Sequence, residues 1–423
     1  MIEPITIAAF RRPGAVRLDK SEVLARSVRR RVGATWALLY FNALTFFPGI
    51  ALLNIPHKVG QLLTQGALTL AVLIALTVNP KVKVRPNVFL CLACLLVVDT
   101  VITAASPQHL GTVYRTIRLA EFVAALWLLT PWWGRRDMLL LRCHLRCNSV
   151  MLGSVLLGLL IAPGHALQEG RLSGVIWPSP PTQVAHYAAV VAGMTAVLWL
   201  ARLLSGRAAL TGVTVAVTIL LLTHTRTALA GLVAGFLVAG LSLFAINSRV
   251  RKSFAAGAVA VSAGIMTLGG VVTTWLARGE GAQLGNLTGR TAFWELVASM
   301  PRNGFQEIFG FGLSNASVNG LSIDSNWYAS YLMEGIVGVV ACAMMLVWLL
   351  VIAFFQPRGA RRALALFLVT YGMLASYTEV GITDASTYLL DLALAASLLI
   401  GPLSRGGQHD DRGGPRAPGR LAK

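Results

Sequence analysis

The stretch GLSIDSNWYASYLMEGIVG, residues 320–338, opens with polar and aromatic residues around the acid Asp324 and runs into a long apolar segment, 327–355. It follows the longest polar stretch between any two apolar segments. The apolar run exceeds the ~20 residues that cross a bilayer. It is therefore read as a membrane span. The question is why a carboxylate and aromatic rings stand at the mouth of a helix that otherwise only has to sit in lipid.

The rest of the chain agrees with a lipid environment. Of 423 residues, 56% are hydrophobic and 13% charged, and the mean hydropathy is +0.68. A soluble protein of this length needs far more charge to cover its surface. Apolar runs fall near 34–54, 61–79, 87–105, 116–133, 148–163, 184–204, 208–224, 227–246, 254–276, 327–355, 363–380 and 384–403. The expected fold is all-α and polytopic, with about 12 transmembrane helices. Residues 1–32 and 404–423 read as disordered cytoplasmic tails flanking a membrane domain over 33–403. One large extracytoplasmic loop covers 277–326. Within it TGRTAFWELVASM, residues 288–300, has the spacing of a short amphipathic helix ended by Pro301.

The net charge is +19, and position decides what it means. With both termini cytoplasmic, 28 of the 36 Lys and Arg fall on the cytoplasmic side and 8 on the other, as the positive-inside rule requires. The charge is spread over many short loops with no single patch, which excludes nucleic acid as a partner. No cleavable signal peptide is expected, because the first apolar run lacks a small-residue cleavage site. Cys91, Cys94 and Cys342 lie in apolar runs as small fillers, and Cys143 and Cys147 in a basic loop. None of them has a second ligand pair at metal spacing, so no metal site is expected.

The eight outer cations are then the informative ones. Lys58, Arg278 and Arg302 sit in polar loop sequence and read as solvated. Arg226 stands between two apolar runs in LLLTHTRTALAGLVAG. Arg115 and Arg118 are one helical turn apart and share a face. Arg171 opens RLSGVIWPSPPTQVAHY, whose prolines stiffen the loop. Arginines at one mouth of a bundle suit a phosphate or diphosphate, whose oxygens the guanidinium fork binds in pairs. They equally suit anchoring to lipid headgroups, and both readings stand. The turn between the last two runs adds Glu379 and Asp384 as acceptor contacts, ion-pair partners or solvated acids, and His165, His186 and His224 fall on or near the same side. Asp99 and Glu121, inside apolar runs, are expected to face the interior and be paired.

Four stretches in order, RLSGVIWPSPPTQVA (171–185), THTRTALAG (223–231), LTGRTAFWE with FGFGLSNAS (287–295 and 309–317), and DSNWYASYLMEGIVG (324–338), resemble those of the O-antigen ligase and O-antigen polymerase family of bacterial membrane glycosyltransferases. The resemblance spans about residues 165–345. It implies a protein of the bacterial cytoplasmic membrane with its active site extracytoplasmic. The activity implied is transfer of a glycan from an undecaprenyl-diphosphate carrier to a glycan or glycolipid acceptor, with no cofactor or metal. By the same resemblance Arg171, Arg226 and Arg290 bind the carrier diphosphate. Arg115 and Arg118 are further anion contacts. Asp324 occupies the position at which ligases of the lipopolysaccharide type carry His, which leans toward a polymerase or another glycan transferase. It would be the general base in an inverting transfer. The residues alone also allow Asp324 to be a helix N-cap. Trp327 and Tyr328 stack on sugar, or form an interfacial aromatic belt. A flippase or transporter for lipid-linked glycans is the non-enzyme alternative. The peptidoglycan-polymerising family of shape and division proteins is a second enzyme alternative.

Overall fold

A computed structural model describes residues 20–52, 56–105, 110–168, 170–244, 248–253, 256, 290–313, 317–318 and 321–401. The helices with described bounds ahead of the long loop are α1 (Lys20–Ala43), α2 (His57–Val78), α3 (Val88–Ala104), α4 (Leu110–Leu129), α5 (Leu139–Ile161), the single turn α6 (Pro163–Ala166), α7 (Pro181–Leu200), α8 (Gly206–Leu222) and α9 (Arg226–Phe244). Then come α10 (Arg290–Ser299), α11 (Gly304–Phe309), α12 (Asn326–Phe355), α13 (Ala360–Ala375) and α14 (Thr387–Leu399). The only strands among the described residues are two-residue pairs, β1–β2 (Leu167–Gln168 with Arg171–Leu172) and β3–β4 (Ser317–Val318 with Leu321–Ser322).

This is an all-α architecture. Five helices, among them α5, α7, α9 and α12, are long and apolar enough to cross a membrane, and α3, α8 and α14 are apolar but shorter. Apolar side chains cover much of the outside: Leu160 is 81% and Phe355 79% exposed. Water disfavours such a surface and lipid accepts it. Helix α7 is buried nearly all round and forms the centre. Lengths alone do not establish twelve spans, and the expected run at 254–276 falls almost wholly outside the described residues, as do 1–19 and 402–423. Several boundaries differ from expectation, among them the end of α1 at Ala43, where the run was expected to reach 54. Helix α1 starts at Lys20, so residues 20–32 are helical and not tail. Helix α5 starts at Leu139, which puts Cys143 and Cys147 on a helix and not in a loop.

Local chemistry explains the helix starts. Asn87 accepts a hydrogen bond from the Phe89 amide ahead of α3, Ser386 does the same for Leu389 in α14, and Asn303 with Gln306 forms a capping box on α11. Pro181 opens α7, where a missing amide proton costs nothing. Small residues set the helix spacing. Phe367 of α13 lies where Gly193 of α7 and Gly235 of α9 would otherwise carry a Cβ, the close backbone approach typical of packed membrane helices.

Helix α12 is broken at Gly335, whose φ of 61° lies in the left-handed region. The carbonyls of Leu332 and Met333, which a regular helix points at the amides of 336 and 337, accept from the amides of Phe311 and Gly312 at 2.9 and 2.8 Å. Gly310, φ 75°, packs against the backbone of Met333 and Glu334. Any Cβ at either glycine would meet main chain.

Candidate functional site

The end of α1, the starts of α2, α4 and α7, and the α13–α14 loop gather at one end of the bundle. Hydrogen bonds between loops fix them there: Phe47 N to Pro178 O (2.8 Å), Leu52 N to Val175 O (2.9 Å) and Trp177 Nε1 to Thr45 O (3.2 Å). Between these pieces opens a cavity of about 500 Å³ whose lining includes Asn42, Gln61, Thr64, Arg115, Arg118 and Asp384.

Two guanidinium groups meet one carboxylate in that lining. Asp384 Oδ2 lies 3.7 Å from Arg115 Nη1 and 4.0 Å from Arg118 Nη1. Asp384 also accepts from the Ala385 amide at 2.7 Å. Arg118 is fastened by carbonyls: Nη2 donates to Asn42 O at 2.9 Å and to Ala385 O at 2.6 Å, and Nε donates to Asn42 Oδ1 at 3.2 Å. Arg118 thus ties α4 to α1 and to the α13–α14 loop. The lining keeps an excess of positive charge and half-buried donors, an arrangement suited to an anion with several oxygens.

The other expected residues are not in its lining. Arg171 on β2 donates from Nε to Thr223 O at 3.0 Å and from Nη2 to Thr225 Oγ1 at 3.3 Å. It thereby binds the first motif stretch to the second. That turn leads into Arg226, the first residue of α9, whose Nε is buried with no hydrogen-bond partner among the described residues. Arg290 begins α10, and its side chain lies outside the described residues. Four residues on, Trp294 stacks on Tyr328 (centroids 5.2 Å apart, planes at 11°) and meets Tyr377 edge-on. This joins the third motif stretch to the fourth. Tyr328 is therefore engaged with protein, and Trp327 is half-buried against the core.

Asp324 is half-buried just ahead of α12. The residue at the capping position is Ser325, and Asp324 stands one residue ahead of it. Glu379 is half-buried in the α13–α14 loop. Arg302, read from sequence as a solvated loop cation, is instead clamped. It donates to Tyr331 O at 2.8 Å and Val297 O at 3.3 Å, and its guanidinium lies 3.9 Å from the centre of the Tyr331 ring. That burial lowers its pKa.

Sequence reasoning missed Asn326. Its side chain is fully buried, and Oδ1 accepts from the amides of Gly381 (3.1 Å) and Ile382 (2.8 Å), while the main-chain amide of Asn326 donates to Ser376 O (2.9 Å). It locks the α13–α14 loop, and with it Asp384, to the start of α12. It also missed Asp391, His144 and the inward setting of His186, although an acid inside the run TYLLDLALAASLLI is a signal in its own right. Glu121 is paired as expected, accepting from Gln65 Nε2 at 3.0 Å and Thr69 Oγ1 at 3.2 Å. Asp99 is buried, but neither carboxylate oxygen has a partner among the described residues, contrary to the expected pairing. Among the described residues no group of three or more His, Cys, Asp or Glu is arranged to hold a metal ion. No family model matches the chain, and no curated protein matches it.

Proposed function

We propose that this protein is a membrane glycosyltransferase that moves a glycan from an undecaprenyl-diphosphate carrier to a glycan or glycolipid acceptor, at the extracytoplasmic end of its helix bundle. One observation carries the reading. Motif stretches far apart in the chain are joined by side-chain contacts, and two of them reach one cationic cavity: Gln183 of the first lines it, and Asn326 of the last holds Gly381 of its lining. Arg171 supports the second stretch and Trp294 docks the third. On this reading the cavity end is the extracytoplasmic one, and the carrier lipid lies along the exposed apolar helix faces.

The acceptor hydroxyl oxygen attacks the anomeric carbon and Asp324 takes its proton. The bond from that carbon to the diphosphate oxygen breaks, and the diphosphate leaves with the electron pair. Arg171, Arg226 and Arg290 hold the developing negative charge, with Arg115 and Arg118 as further donors. Attack and departure occur on opposite faces, so the anomeric configuration inverts. Glu379, Asp384, Trp327 and Tyr328 border the acceptor path.

The test uses the full chain in nanodiscs with undecaprenyl-diphosphate-linked glycan and acceptor, in EDTA. Wild type, Asp324→Asn and Arg226→Ala are compared for transfer and for carrier binding. Transfer lost in Asp324→Asn with binding kept, and binding lost in Arg226→Ala, supports both roles. Wild-type transfer by Asp324→Asn removes the base assignment. Specific carrier binding with no transfer to any acceptor favours a transporter.

A further inference from the structure

Beneath the cavity lies a second polar group that the transfer reaction does not use. Asp391 on α14 sits between two imidazoles. Its Oδ1 is 2.8 Å from His144 Nε2 on α5, and its Oδ2 is 3.2 Å from His186 Nε2 on α7. Both approaches are short, though out of line for ideal hydrogen bonds to the carboxylate. His186 Nδ1 lies 3.2 Å from the hydroxyl of Tyr371 on α13. His144, His186 and Asp391 are 0%, 1% and 3% exposed.

The ionisable groups facing the triad come from every neighbouring helix. Tyr40 of α1 meets the His144 ring edge-on, while Tyr187 of α7 and Tyr388 of α14 pack on His186. Cys147 of α5 lies near Tyr40, and Glu379 in the α13–α14 loop lies near Tyr371 and Tyr388. Among the described residues no Lys or Arg pairs with Asp391. Two neutral rings and an ionised Asp391 therefore leave one net negative charge inside an apolar bundle, which low-dielectric surroundings disfavour. One added proton cancels it.

Geometry says where that proton goes. Both Nε2 atoms face the carboxylate, so both carry hydrogen, a tautomer assigned here from the contacts. Only the Nδ1 atoms remain. That of His144 is buried with no partner, whereas that of His186 has the Tyr371 oxygen ready to accept. The added proton thus sits on His186 Nδ1, with Tyr371 as acceptor.

A route to water is also present. Gln183, Thr387 and Ala43 line the cavity, and one helical turn further into the bundle on the same faces stand His186, Asp391 and Tyr40. A turn rises about 5 Å. The Gln183 Oε1 is buried with no hydrogen-bond partner among the described residues, a free acceptor that can hold a water at the cavity floor.

We propose that His144, Asp391 and His186 form a proton-binding site that exchanges one proton with the water of the cavity through its floor. This holds whichever ligand the cavity takes, so its test is separate from that of glycan transfer. The full chain carrying 15N-histidine in nanodiscs is titrated between about pH 5 and 8, the window of imidazole charge change, with His144→Gln and His186→Gln assigning the signals. The expected result is one proton gained on acidification, read as His186 passing to the doubly protonated form with His144 shifting in step. Tyr371→Phe, which removes only the acceptor hydroxyl, should move the pH of that change, and Asp391→Asn should uncouple the rings. Two rings fixed in one neutral tautomer throughout would overturn the proposal, as would a titration that neither variant alters. Gln183→Leu should slow proton exchange at the triad, and an unchanged rate would exclude the cavity floor as the route.

Discussion

Replacing Asn326 by Ala should weaken the protein far more than one small polar side chain suggests. The Asn326 carboxamide oxygen is the acceptor for two buried amides, those of Gly381 and Ile382. Alanine cannot replace it, and the site is closed to water. Each buried donor left unpaired costs about 1–3 kcal/mol, so the pair costs about 2–6 kcal/mol. The contacts of Nδ2 add little, since that to Ser330 Oγ is long at 3.4 Å and Cys342 Sγ, at 3.3 Å, is a weak acceptor. The loss should be read as a fall in unfolding free energy in nanodiscs. It should also appear as faster hydrogen exchange at the amides of 381 and 382. A fall under about 0.5 kcal/mol, the range of ordinary surface substitutions, or unchanged exchange at those amides, would refute the claim that this side chain holds the loop.

The two cavity arginines should separate by role. Arg115→Ala should lower the affinity for inorganic diphosphate about tenfold or more, the loss of one charge-assisted contact of about 1.5–3 kcal/mol. Arg118→Ala should lower stability as well, and Arg118→Lys should not restore it, because an ammonium cannot reproduce the planar fork that reaches Asn42 and Ala385. Gly335→Ala should destabilise by about 2 kcal/mol or more, since the left-handed backbone is strained for any side chain and the new Cβ would meet the Ile308 carbonyl; thermal unfolding in detergent checks it. Trp294→Ala should cost about 0.5–1.5 kcal/mol beyond the lost apolar area and raise protease cleavage around Met300, whereas Trp294→Phe should keep most of the docking.

Where burial follows directly from apolar runs, sequence and structure agree closely. Helix α12 begins one residue from the expected start of its run, and α9 likewise. The miss at α1 has a physical cause: Arg26 to Arg31 made 20–32 look like a solvated tail, but Arg and Lys are good helix formers and snorkel readily. The break at Gly335 was illegible, because glycine is ordinary in membrane helices and only the approach of residues 308–312 makes this one necessary. At the candidate site, Arg115, Arg118 and Asp384 were legible as charges on one side, and their convergence in one cavity was not. Asn326 looked like the neighbour of a more interesting acid. Its work is done through main-chain amides 55 and 56 positions away, a pairing that no local pattern encodes.

The break in α12 also bears on how the chain enters the bilayer. Interrupting a helix leaves carbonyls that hydrocarbon cannot solvate, and here the amides of Phe311 and Gly312 serve them like a splint. The splint is translated before the helix that needs it. When Gly335 leaves the ribosome its partner segment is already made, so the fracture can be dressed as it forms. A permuted chain in which residues 304–313 follow α12 would expose the bare carbonyls of Leu332 and Met333 during insertion, and the order of synthesis becomes part of what makes this helix tolerable.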